Sequence, residues 1–242
     1  MNAWISLSAY RRLVAGAALL IAGAGFAIAA NAQETDASDE AVEQLSSDYT
    51  AIAGGWWLEQ KCRKLAFEQK IAFEWNIGQL TDAITNELGA AWVAARQKSA
   101  KEIALELPCD DAAVSLIGDS VTLAHVVTDQ LTGLVYEAGV TDRDYLTDRY
   151  ASMAQGLAVA DRCRYGTDAS RAEFKTWIEQ IGAALDQRYP GVNFPSLATD
   201  ARLEIDAATV TCTPELDMRI QSFRAATRAL GIDLGVIAPP QG

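Results

Sequence analysis

Few side chains in this sequence have the type and spacing for covalent or acid–base chemistry. There is one histidine, His125, and four cysteines. One serine, Ser120, stands out in the run Ile117-Gly118-Asp119-Ser120-Val121. A Ser–His–acid catalyst needs its imidazole within hydrogen-bond reach of the hydroxyl. His125 lies five residues beyond Ser120 in a stretch of helical apolar spacing, and residues five apart do not share a helix face. The motifs H-E-x-x-H, G-x-x-x-x-G-K-[ST], G-x-G-x-x-G and G-x-S-x-G do not occur. Glycoside hydrolysis needs only a pair of carboxylates. The 32 Asp and Glu residues offer many such pairs and single out none. With one histidine and no C-x-x-C there is no zinc-ligand pattern. No metal or cofactor site is expected.

Gly118-Asp119-Ser120 resembles the G-D-S block of the GDSL-type esterases. In that family the serine follows an early strand, and an Asp-x-x-His block near the C-terminus supplies the base. Here the block is mid-chain in a helical pattern and no histidine follows His125, so the resemblance ends after five residues.

The cysteines are better placed. Tyr49–Arg63 (YTAIAGGWWLEQKCR) meets Tyr150–Arg164 (YASMAQGLAVADRCR) when moved 101 residues along without a gap. Tyr49, Ala53, Gly55, Cys62 and Arg63 fall on Tyr150, Ala154, Gly156, Cys163 and Arg164. The same offset carries Phe73, Ile77, Gln79 and Ala83 onto Phe174, Ile178, Gln180 and Ala184. Each copy has one later cysteine, Cys109 and Cys212. Four cysteines allow three pairings. The duplication selects Cys62–Cys109 and Cys163–Cys212, because each copy then closes on itself. Arg63 and Arg164, each following the first cysteine, are expected to form a structural ion pair with an acid on a neighbouring helix.

The N-terminus supplies an address compatible with disulfides. Arg11 and Arg12 precede an apolar run, Leu13 to Ala30, and Ala30-Asn31-Ala32 is an A-x-A site. Residues 1–32 read as a signal peptide cleaved after Ala32, for a periplasmic or secreted protein. This leader carries two arginines and no acid, so its removal takes the net charge from −12 to −14. Such a surface repels phosphate backbones and anionic lipid, so neither nucleic acid nor, after cleavage, membrane is an expected partner.

The elements that must position these residues are helices. Residues 33–47 are acidic and read as a flexible lead-in, its last part open to being helical, with a first helix from near Asp48 to Leu65. Unit 1 spans 48–139 and unit 2 spans 140–238, followed by a loose tail, 239–242. Phe73, Ile77, Leu80, Ile84 and Leu88 form a stripe ending at Gly89. A further helix follows to Leu107, and a long one from about Asp110 to Ala138. In unit 2, Thr141 is the expected N-cap, Ser170-Arg171-Ala172-Glu173 a capping box, and Thr213-Pro214-Glu215 a cap with proline at the first helical position. The fold class is all-α: two tandem, duplicated units of three to four helices, each closed by one long-range disulfide.

Four of the five tryptophans beyond residue 32 lie in unit 1. Trp57 corresponds to Ala158, so the shared scaffold does not need its indole, and Trp57 and Trp92 are the candidate partner-binding residues. Helical units with one long-range disulfide, exported and acidic, resemble in layout the small acid-activated chaperones of the enterobacterial periplasm. The expected function is non-catalytic contact with an unidentified protein partner, as a chaperone-like protein, inhibitor or adaptor. The alternative is a carboxylate-based hydrolase acting on envelope polymers.

Overall fold

The structure, a computed structural model, describes residues 33–239. The expected leader and its cleavage site, and the last three residues of the tail, lie outside the described residues. Those described form eight helices and no strand. They divide into two compact units, with the break between Tyr136 and Glu137, three residues before the expected boundary.

Unit 1 holds α1 (Gln33–Cys62), α2 (Phe67–Leu88), α3 (Ala90–Glu106) and α4 (Asp111–Thr132). The first helix begins well before Asp48, contrary to the lead-in expected over 33–47. Ala41 and Leu45 extend the stripe of Tyr49, Ile52 and Ala53 upstream by two turns, and all five are buried. That apolar face outweighs the acidic composition around it. α4 is shorter than expected. Asp110 caps its start by accepting from the Ala113 amide at 3.1 Å. Gly133 ends it in the left-handed conformation, φ 63°, with its amide on the Asp129 carbonyl.

Unit 2 holds α5 (Thr141–Cys163), α6 (Asp168–Arg188), α7 (Phe194–Ala207) and α8 (Pro214–Asp233). Thr213 caps α8 by accepting from the Leu216 amide, with Pro214 as its first residue. Thr141 is the first residue of α5, and its hydroxyl accepts from the Glu137 amide outside the helix. Ser170 is not the cap of α6. Thr167 takes that place three residues earlier, its hydroxyl accepting from the Ser170 amide at 3.1 Å.

In unit 1, α1 packs mainly on α3 and α4, and α2 packs on the same two. α5 and α6 stand in the same relation to α7 and α8. The core of unit 1 is built on Tyr49, Ile52, Phe73, Leu80 and Ile84, all nearly inaccessible. Side chains of this size contribute about 1.5–3 kcal/mol each on full burial. In unit 2, Leu146, Tyr150, Phe174, Ile181 and Leu185 are the buried counterparts.

Two disulfides close the units. Cys62–Cys109 joins the end of α1 to the residue before the cap of α4, with Cα atoms 5.4 Å apart. Cys163–Cys212 joins α5 to the approach to α8 at 5.6 Å. Both pairings are those expected from the repeated layout, and no cysteine is free. Two such bridges suit a non-reducing compartment, such as that of an exported or secreted protein. No described helix is long and apolar enough to cross a membrane.

Candidate functional site

The apolar groove of unit 1 follows from two adjacent glycines on α1. At Gly55, α4 comes so close that an added Cβ would sit 2.1 Å from Ser120 Oγ. Ser120 is buried there, and its hydroxyl donates to the carbonyls of Ala51, at 3.1 Å, and Leu116, at 2.8 Å. The G-D-S serine is thus a helix-packing residue, while His125 faces outward on the same helix. At Gly54, one residue back, a Cβ would meet nothing within 4 Å. The space above it is open.

That opening belongs to a groove of about 680 Å³ floored by α1 and walled by α3 and α4. The α1 side is a stripe of small residues, Ser47, Ala51 and Gly54 among them, ending at Leu58. Ile103 on α3 and Leu116 on α4 form apolar walls and are 57% and 48% exposed. The ionisable side chains lining the groove are Glu43 and Asp119, both acidic.

Unit 2 closes the equivalent place. Gly156 stands seven residues before Cys163, as Gly55 does before Cys62. Phe223 stands eleven after Cys212, as Ser120 does after Cys109. Phe223 lies against Gly156, 3.1 Å from where a Cβ would be. Gln155, in the place of Gly54, reaches across to α7, its Nε2 donating to Glu204 Oε2 at 2.9 Å.

The tryptophans lie elsewhere. Trp57 is half-buried and touches both apolar clusters of unit 1, joining the main core to Leu58, Ala104, Ala113 and Ile117. Lys101 Nζ lies 4.4 Å from the centre of its ring. Trp92 packs near Tyr49, with ring centres 6.1 Å apart, and under the Arg96 guanidinium at 3.8 Å. Each indole is thus engaged within its own unit, and neither lines the groove.

Arg63 and Arg164 share a backbone role. They are the non-glycine residues with positive φ among those described, 51° and 54°. Each turns the chain at the end of its helix, with Arg63 N on the Glu59 carbonyl and Arg164 N on that of Asp161. A cation with a repeated side-chain duty also stands one position before the first cysteine of each unit. Lys61 Nζ donates to the carbonyls of Leu105 and Leu107, and Arg162 Nη1 to those of Ile205 and Asp206. Each stabilises the C-terminal end of the third helix of its unit. Lys61 and Arg162 also align in the sequence, which is the signal by which they could have been found. Glu59 is buried for a similar structural purpose. Its carboxylate accepts from the amides of Lys64 and Leu65 and holds the turn into α2.

The two tyrosines of the repeated stretch are buried in the same position with different partners. Tyr49 OH bonds Thr81 Oγ1 at 2.8 Å and accepts from Gln97 Nε2 at 2.9 Å. Tyr150 OH donates to the Ile178 carbonyl at 3.2 Å and presses against Gly182, the counterpart of Thr81 at the 101-residue offset. Burial, helped by the charge of Glu179, pushes the Tyr150 phenol up to about 12. Burial raises Tyr49 as well, opposed by its two hydrogen bonds.

Among the described residues no cluster of three or more His, Cys, Asp or Glu side chains could hold a metal ion. Compared with models of protein families, with curated proteins and with solved structures, the chain has no match.

Proposed function

We propose that this chain is an exported, non-catalytic helical protein of two duplicated units that acts by contact with another protein, through the groove of unit 1. The groove itself carries the reading: an open apolar channel whose walls expose Ile103 and Leu116 to solvent. Exposed apolar surface lining a concavity is characteristic of interaction sites. The repeated backbone at Arg63 and Arg164, the repeated cation at Lys61 and Arg162 and the common packing order support duplication. The leader expected from the sequence of residues 1–32 and the two bridges support export to the periplasm or beyond the cell.

The hydrolase alternative would need two carboxylates facing one another, about 5–9.5 Å apart. Ser120, next to Asp119 on α4, places its hydroxyl on the Ala51 carbonyl. Glu43 stands eight residues up α1 from Ala51, which is about 12 Å of helix. That separation favours contact over catalysis.

The test is photo-crosslinking in the native envelope, with a reactive residue at 116 in unit 1 or at 203 in unit 2. A discrete protein adduct from position 116, lost in Gly54→Gln and weak or absent from 203, is the expected result. Adducts of equal yield from both positions, unaffected by Gly54→Gln, would remove the groove from the function.

A further inference from the structure

Resting on the groove as the contact surface, we infer that its occupant is an amphipathic helix of a partner protein that carries cationic residues beside its apolar face and seats one large apolar side chain on Gly54. Three observations specify this ligand. First, the length is that of a helix. The lining on α1 runs from Glu43 to Leu58, about 22 Å of α-helix, so a partner helix of about four turns would lie along it. Apolar grooves between helices take such partners through side chains at i, i+3, i+4 and i+7.

Second, unit 2 shows what the space holds when the chain fills it. Above Gly156 lies the ring of Phe223, and in the place of Gly54 a glutamine side chain crosses to α7. Unit 1 has Ser120 and Gly54 at those positions: Ser120 fills the place above Gly55, and the space above Gly54, where a Cβ would meet nothing within 4 Å, is left for a side chain from outside.

Third, the ionisable side chains that line the groove carry charge of one sign. Glu43 near one end and Asp119 in the middle are the ionisable lining residues, both are exposed, and the whole chain carries −12. Lys61 and Arg96 reach the lining at the Leu107 carbonyl and the Ser46 hydroxyl. A helix with Lys or Arg placed opposite Glu43 and Asp119 meets complementary charge there, whereas an acidic one meets repulsion.

The test uses the full mature chain and two labelled synthetic peptides of about four helical turns. Both have Leu and Phe on one face, and the other face is Lys-rich in one and Glu-rich in the other. Fluorescence anisotropy should find the cationic peptide bound at least about tenfold more tightly, with affinity falling as salt rises. Gly54→Gln should weaken it at least about tenfold by filling the groove as unit 2 is filled. Ile103→Ser with Leu116→Ser, both exposed positions, should weaken it without unfolding, as circular dichroism would verify.

Equal affinity for the two peptides overturns the charged occupant. Binding that ignores both sets of groove substitutions overturns the site. Displacement of the peptide by a free 16-carbon fatty acid of higher affinity would assign the groove to an acyl chain instead. A dimer that Gly54→Gln dissociates would assign it to a second copy. If the position-116 adduct forms in the envelope yet the cationic peptide does not bind, the contact reading stands and this occupant falls.

Discussion

Unit 1 places Gly55 beneath Ser120 with Gly54 open beside it, and unit 2 places Gly156 beneath Phe223 with Gln155 beside it. Both keep the same order of four helices, the same packing partners and the same staple. The glycine common to both, Gly55 or Gly156, is therefore a packing requirement: it lets the fourth helix lie on the first. The residue before it is free to vary. A glutamine there bridges to the third helix, and a glycine leaves a channel. Folding thus does not demand the groove of unit 1. On the proposed duplication it is an addition to a scaffold that unit 2 closes, and this is the strongest reason to look for its use.

Opening the staples tests how deep the likeness of the units goes. Replacing Cys62 and Cys109 together by serine should cost about 4 kcal/mol, because a loop of that length regains its unfolded-state freedom. Replacing Cys163 and Cys212 should cost nearly the same, since the loops differ by two residues. Denaturant unfolding of each double variant measures this. A large disparity would mean that the two bridges support unlike structures, and peptide mapping that joins Cys62 to Cys163 would remove the two-unit description altogether.

Gly55→Ala should be the most damaging single change in the groove floor. The new methyl would stand 2.1 Å from Ser120 Oγ and 2.2 Å from its Cβ. Overpacking of this kind costs about 1–3 kcal/mol. Gly156→Ala meets Phe223 at 3.1 Å, a contact that a small ring movement relieves, so its loss should be smaller. Thermal unfolding of the two variants compares them directly. Adding Ser120→Gly should recover much of the loss at Gly55, and no recovery would mean that the helices approach elsewhere.

The tyrosines separate the units at high pH. Tyr150 has its phenol raised from about 10 to about 12 in the fold. Its contribution is whole below pH 10 and disappears as the pH rises through 12, on the order of 2 kcal/mol. Absorbance titration should find that Tyr150→Phe removes the last tyrosine to ionise. Loss of the late step in Tyr49→Phe instead would place the more isolated phenol in unit 1.

How far the sequence leads is clear from individual residues. Cysteine spacing and the 101-residue offset were enough for both bridges, because a repeat restricts pairings that a single copy leaves open. Apolar periodicity located the helices, yet α1 began upstream because Ala41 and Leu45 are too few to signal a helix amid acidic neighbours. The end of α4 at Gly133 was hidden because Leu134 and Val135 continue an apolar pattern, although both are exposed beyond the turn. Arg63 and Arg164 were legible as a pair but not as left-handed residues, since arginine carries no bias toward that conformation. The tryptophans drew attention by size, and size placed them against the core. The groove lay in the opposite signal, a position without a side chain. Small residues along one helix face indicate close packing or empty space, and only the placement of α3 and α4 distinguishes these.

Gly54 supplies the smallest expected effect and the sharpest test of that distinction. In a helix interior, glycine is less stable than alanine by about 0.5–1 kcal/mol, because the unfolded chain loses more freedom on folding. Nothing lies within 4 Å of the position that a Cβ would occupy, so alanine brings that gain without a clash. Gly54→Ala should therefore raise the melting temperature modestly, while Gly55→Ala, one residue along the same helix, lowers it. If both substitutions destabilise, α3 and α4 close over Gly54 in solution and the channel is not open. If Gly54→Ala stabilises the protein and weakens the crosslink from position 116, the chain forgoes stability at this residue to keep the groove. A glycine that stability disfavours and the scaffold does not need is then explained by what it admits.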